Sequence, residues 1–379
     1  MDTLEAQMTA AYGVYKVGNK VYESKIQAMI ASHIGEKPVV YDFHDEYLDS
    51  FDWSEEPTET LAQLYLERAQ QLRHDYDYLI LHYSGGPDSH NVLETFLHNG
   101  LRIDEILIRE KNLQDANRWD RSINNLAAES VFFAYPFARY IKDNHWPDLK
   151  ITVIDMVPYI VDYFNKAKNW TPNMDTFFTD PQHIARFDWD FLHRDLLPLV
   201  ESGKRVAHII GGEKPRVLKD DLGYYLEIMD ENIIRNARPR FQGKGMPYNM
   251  EMFYTHRNTA KLMMKQSHVL SRYMKQNGIS NWKWDRSDED KIASVIYDRK
   301  YANDQITVEK QPKTLPFMCP TMTWFTEDKN TDYFENWKHG MQVIKETIPD
   351  HFVVEDEFFS KGLRWFTAKK RYVLLADGE

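Results

Sequence analysis

The sequence predicts an α/β protein built on a doubly wound, mostly parallel sheet, followed by a mainly helical C-terminal region. Four apolar runs, at residues 78–81, 103–108, 151–154 and 206–210, have the length and composition of buried parallel strands. Helical patterns separate them, and strands that alternate with helices build parallel sheets. At the first run the chain reads YLILHYSGGPDSHNVLETFLHNG. Ser84-Gly85-Gly86-Pro87-Asp88-Ser89 follows the strand at once, and a helical pattern with Val92, Leu93, Phe96 and Leu97 on one face follows the turn. Asn99-Gly100 stops that helix.

The other elements read in order. Residues 12–15 and 21–22 flank Gly18-Asn19, a hairpin turn. Ser24 caps a helix with Ile26, Met29 and Ile30 that ends near Gly35, and residues 39–43 form a strand. These pieces make either a small N-terminal α/β lobe over residues 1–57 or edge strands of the main sheet. Residues 52–57 are an acidic connector. Thr58 or Thr60 then starts a helix to Arg73, with Leu61, Leu64, Tyr65, Ala69 and Leu72 at helical spacing. A polar loop over 111–121 leads to a helix from about Ser122 to Lys142. Further helices fall near 158–167 and 189–200, separated by polar residues 169–181.

A soft boundary near 230–250 separates a central domain (58–230) from the aromatic-rich region 231–379. Residues 218–229 hold a β excursion, and 235–245 are basic and turn-rich. Helical patterns cover 250–274, 288–301 and 333–347. Phe366 and residues 372–375 suggest a final pairing element.

Composition narrows the class. The 379 residues suffice for a large core with appendages, and 42% hydrophobic with 28% charged is that of an ordinary soluble protein. No run reaches membrane-spanning length, and the N-terminus has no apolar segment of signal-peptide type. A single cysteine, Cys319, excludes an internal disulfide framework and a four-cysteine zinc site, and suits a reducing, cytoplasmic setting. Its neighbours are apolar, the setting of an inert thiol. A net charge of −11 argues against a protein that coats nucleic acid.

The order strand, glycine turn, helix converges backbone N–H groups on an anion. Gly85 and Gly86 can take positive φ and admit a phosphate close to the backbone. Pro87 suits the first helical turn, and Ser84 and Ser89 offer hydroxyls. Asp88 is the odd member: a carboxylate beside phosphate must be ion-paired or hold Mg²⁺. Asp88→Asn is then expected to leave melting nearly unchanged while removing turnover. The pattern is neither the ATPase P-loop nor the dinucleotide fingerprint. It resembles the signature of the PP-loop ATP pyrophosphatases, nearest in kind to the synthetase domain of asparagine synthetase. The chain is also faintly similar along its length to PP-loop proteins of phage.

That resemblance covers roughly residues 76–220 and is specific at the loop. It implies a HUP-like fold, ATP and Mg²⁺ as cofactors, and adenylation of a substrate oxygen with release of pyrophosphate. Adenine is implied against the end of the second strand, at Ile108 and Arg109. Gly211, Gly212 and Glu213 look like the family's second glycine-bearing loop, with Glu213 beside Asp88 as a metal ligand. Here Lys214-Pro215-Arg216 replaces the small-acidic residues of that loop. Lys214 and Arg216 either clamp pyrophosphate or are exposed loop charges; Asp220 and Asp221 are alternative metal ligands. Asp88, Lys214 and Glu213 are the candidate catalytic set.

Arg257, Lys261 and Lys265 share a helix face that either receives an acidic group or is solvated. His256 and His268 do not have a zinc spacing and are read as structural. The expected partners are ATP and an unidentified small molecule, with a homo-oligomer or a separate ammonia donor as further candidates. The alternatives are a nucleotide-binding module without catalysis and a tRNA- or nucleobase-modifying PP-loop enzyme.

Overall fold

The computed structural model describes residues 14–22, 25–35, 37–43, 45–110, 130–166, 190–212, 214–230, 249–255, 257–282, 286–297, 331–347, 353–354, 364–365 and 368–376. The strands at its centre are β4 (Tyr78–His82), β5 (Glu105–Glu110), β6 (Lys150–Asp155), β7 (Val206–Ile210) and β10 (Asn249–Met252). They form one five-stranded sheet in the order β10-β7-β4-β5-β6, and every pair is parallel. From β4 the chain steps outward through β5 to β6, then returns to the other side of β4 for β7 and β10. The winding direction therefore reverses between β4 and β7, and crevices form at the carboxyl ends of strands at such a reversal.

Helices flank the sheet: α4 (Pro87–His98) follows β4, α5 (Tyr135–Asn144) precedes β6, and α6 (Val157–Lys166) and α7 (Asp190–Glu201) precede β7. A π-helical turn, Ser130–Ala134, leads into α5; the expected loop over 111–121 and residues 122–129 of the expected longer helix lie outside the described residues. Before β4 runs α3 (Leu61–Asp75), whose start is a capping box: Thr60 accepts from Gln63 N–H, and the Gln63 side chain accepts from Thr60 N–H. Leu79, Leu81, Val92, Leu93, Phe96, Ile106 and Ile108 are fully buried along the strands and α4 and form the central core.

The N-terminal strands stand apart from this sheet. β1 (Val14–Val17), β2 (Lys20–Tyr22) and β3 (Val39–Asp42) make their own antiparallel sheet in the order β2-β1-β3, with α1 (Lys25–Gly35) between β2 and β3. Gly18 turns the hairpin at φ 60°, where a glycine carries no Cβ penalty. A short helix, α2 (Asp45–Leu48), follows.

The region beyond 230 contributes strands as well as helices. β10 extends the main sheet, so residues 250–252 are not the start of a helix as their pattern suggested. They pair in register with β7, and Glu251 is held there by Arg68 at 2.8 Å. The helix begins later, as α8 (Ala260–Gln276), after a 3-10 turn at Arg257–Thr259; α9 (Arg286–Ile296) and α10 (Asp332–Thr347) follow. β8 (Arg216–Asp220), β9 (Gly223–Met229) and β13 (Lys369–Ala376) make a third, antiparallel sheet in the order β13-β9-β8. A two-stranded pair, β11 (Val353–Val354) and β12 (Arg364–Trp365), completes the described strands. No described helix is long and apolar enough to cross a membrane.

Candidate functional site

Ser84–Ser89 links β4 to α4 at the carboxyl edge of the sheet, on the side of the reversal. Tyr83 N–H donates to Leu107 O at 2.9 Å, which sets the loop beside the end of β5. Gly85 takes φ +79°, the left-handed conformation that glycine adopts freely. Gly86 does not: it is the N-cap of α4 at φ −74° and ψ 161°, ordinary extended backbone, because Pro87 restricts the residue before it. The two serines shape the loop from within. Ser84 Oγ accepts from Gly86 N–H at 3.2 Å, while Ser89 Oγ accepts from Ser84 N–H at 3.2 Å and donates to Gly86 O at 3.3 Å.

The start of α4 presents unused donors. The N-cap Gly86 has no side chain to accept from the first turn, and the first helical bond is His90 N–H to Gly86 O. The N–H groups of Asp88 and Ser89 meet no acceptor among the described residues. Together with the helix dipole they suit a phosphate.

Asp88 turns its carboxylate toward the neighbouring strand. Lys214 Nζ, on the loop after β7, lies 2.8 Å from Asp88 Oδ1 and 2.9 Å from Oδ2. The lysine side chain is only 9% exposed, so this is an enclosed ion pair and not a surface one. Gly211 permits the approach of the two loops. A Cβ there would stand 2.8 Å from Ser89 Cα and 2.9 Å from Asp88 O, inside contact distance of backbone that cannot rotate away. At Gly212 the nearest atoms would be 3.7 Å away, an ordinary contact.

Three tyrosines from distant parts of the chain close over Asp88. Tyr297, just past α9, donates to Asp88 Oδ1 at 2.7 Å, and Tyr254 donates to Asp88 O at 2.8 Å while accepting from Asn91 at 2.9 Å. Tyr65 of α3 donates to Ile296 O at 2.6 Å and packs 5.9 Å from Tyr254 and 6.3 Å from Tyr297 between ring centres. Burial first, and the nearby Asp88 charge with it, holds the phenols of Tyr254 and Tyr297 well above their usual value. They therefore act as neutral donors. Residue spacing gave no sign of this cluster, whose members are separated by up to 232 positions (297 − 65).

A second buried set lies along the same loop: Tyr83 OH meets His90 Nδ1 at 2.9 Å, and His90 Nε2 lies 3.3 Å from Glu94. The i,i+4 spacing of His90 and Glu94 is visible in the sequence; Tyr83 as their third member is not. Below the loops, His82 Nε2 and His208 Nδ1 touch at 2.7 Å across β4 and β7, so one ring donates and the other accepts.

Ile108 is fully buried in β5 and Arg109 follows it at half burial, one strand from the loop. Arg216 opens β8 and lies 3.2 Å from Glu227, so it faces that carboxylate and not Asp88. Asp220 accepts from Leu222 N–H in the β8–β9 turn, a strand's length from Lys214; Asp221 shares that turn. Glu213, His256 and Cys319 lie outside the described residues. Lys261 and Lys265 ion-pair with Glu59 and Glu56 at 2.6 Å each, which docks the acidic connector and the residues just before α3 on α8. His268 lies 3.0 Å from Trp53 O in the same contact, a structural place.

No protein-family model matches the chain, and no curated protein matches it.

Proposed function

We propose that the protein is an ATP pyrophosphatase of PP-loop type, which adenylates a carboxylate or amide oxygen of a small molecule. A nitrogen nucleophile, ammonia or an amine, then displaces AMP. The observation that supports this best is the Ser84–Ser89 loop with its two open N–H donors, set at the winding reversal and joined by Lys214 from the next loop.

The chain's own residues suit the reaction in stated ways. The N–H groups of Asp88 and Ser89 would donate to phosphate oxygens, and the loop contains no lysine to hold a β–γ bond for cleavage. Lys214 supplies the positive charge from across the strand ends, where a departing pyrophosphate needs it. Asp88 is the one carboxylate on the loop itself; a Mg²⁺ would take one of its oxygens in place of Lys214, which would leave that ammonium for the pyrophosphate. Mg²⁺ would supply charge neutralisation on the leaving group. Tyr297 and Lys214 fix the Asp88 carboxylate between them. Positioning and charge stabilisation suffice, so no protein nucleophile is needed.

Phosphorus NMR of turnover mixtures with candidate carboxylates and ammonia tests the reading. AMP and pyrophosphate are the expected products; ADP with inorganic phosphate would overturn both the class and the mechanism. A binding module would hold ATP and release neither.

A further inference from the structure

We propose that the side of the β13-β9-β8 sheet around Glu227 is an anion site, and that it takes a phosphate group carried by the small-molecule co-substrate. That the molecule is a co-substrate rests on the ATP-splitting reading; the anion site itself does not. The register places Arg371, Glu227 and Arg216 in one cross-strand row. Glu227 is 1% exposed, and three cations converge on it. Arg216 Nε and Lys369 Nζ each lie 3.2 Å from Oε1, and Arg371 Nη2 lies 3.1 Å from Oε2.

One buried carboxylate needs one positive charge to offset its burial. Lys369 and Arg371 alone exceed that, since neither meets another carboxylate among the described residues. Their side chains are 44% and 54% exposed, so water and a ligand can reach them. Arg371 also lies over the Tyr225 ring at 4.5 Å, which holds the guanidinium in place. The opposite side of the same sheet carries the reverse imbalance. There Lys370, between Lys369 and Arg371 in sequence, meets two carboxylates, Asp45 and Asp49.

The site begins two residues along the chain from Lys214, the partner of Asp88. Lys214 and Arg216 are both half-buried, and Pro215 between them accepts from Val217 N–H at 3.2 Å, a turn that carries the chain from Lys214 into β8. Two residues span at most about 7 Å. The backbone that starts β8 is therefore close to that of Lys214. The cations converge on a point and do not form a strip, and the chain carries −11 overall. Both features favour a compact phosphate over a nucleic-acid backbone. Asp220 shares this side but sits at the far end of β8.

Titration of inorganic phosphate into the full chain, by calorimetry with and without a saturating non-hydrolysable ATP analogue, tests the site. Phosphate should bind in both cases, and more weakly as salt rises. Lys369→Gln with Arg371→Gln should weaken phosphate about ten-fold while the analogue's affinity changes less than about two-fold. The single variants give the same direction should the double variant fail to fold. Absent phosphate binding, or equal binding by folded variants, overturns the proposal. A single-stranded RNA oligonucleotide that binds more tightly than phosphate, and is lost in the same variants, overturns the small-molecule assignment. A chain that binds phosphate here but makes no AMP sinks only the ATP-splitting reading. One that makes AMP without any effect of these variants sinks only the anion site.

Discussion

At single residues, the close approach of two loops makes sharply different demands on neighbouring glycines. Gly211→Ala would drive a methyl into the backbone of Asp88 and Ser89, at a cost of about 1–3 kcal/mol. Gly212→Ala meets nothing nearer than 3.7 Å. Calorimetric titration of ATP–Mg²⁺ should show affinity lost in the first variant and kept in the second; equal affinities would separate Gly211 from the site. Asp88→Asn also reads differently once its partners are known. The substitution strands the Lys214 charge in a largely enclosed place, so a loss of about 2 kcal/mol is expected where a cap alone would cost about 1 kcal/mol. Denaturant unfolding of Asp88→Asn beside the double variant with Lys214→Met checks this, since the double variant should recover part of the loss. The loop was legible in the sequence because its chemistry is local: glycine, proline and serine act within six residues. Its tyrosine lid was not, because a long-range hydrogen bond leaves no trace in spacing.

At the scale of elements, the connector over 52–57 and α8 form an acid-sensitive joint. Burial chiefly holds His268 below its ordinary value, so the unfolded chain takes up that proton more readily. Stability then falls as pH drops below the unfolded value of 6.5. For Glu56, burial acts to raise the carboxyl but is outweighed by hydrogen bonds from Lys265 and Arg272, so the net direction is down. Its contribution is complete above its unfolded value of 4.5 and is lost as pH falls through the lower folded value. Melting measured from pH 7.5 to pH 4 should decline in both ranges. His268→Gln should flatten the upper part and Glu56→Gln the lower; unchanged profiles would refute the joint. Both halves of this contact were legible, one acidic run and one basic helix face, but their pairing across some 200 residues was not. The main-sheet strands β4 to β7 were read closely because long apolar runs between helices allow few alternatives. β10 was missed because four residues are too few to show a period against the helix that follows.

Across the whole molecule, β13 ties the parts together. It pairs along β9, stacks Tyr372 on Trp53 at 4.2 Å between ring centres, and anchors Asp45 and Asp49 through Lys370. Tyr15 adds a buried bond to Asp230 at 2.6 Å, so the N-terminal sheet hangs on the end of β9. A chain truncated after Ala368 should lose hydrogen-exchange protection in β1–β3 as well as in β9. Retained protection in β1–β3 would place their anchorage elsewhere. The same pairing sets a schedule during synthesis. β9 ends at Met229 and its partner begins at Lys369, a gap of 140 residues (369 − 229). At about 5–20 residues per second the ribosome needs roughly 7–28 s to cross it. Throughout that interval one edge of β9 is open, and of the three cations around Glu227 only Arg216 has been made. The nascent chain thus passes through a period in which one edge of a buried strand waits unpaired for the last strand of the described fold.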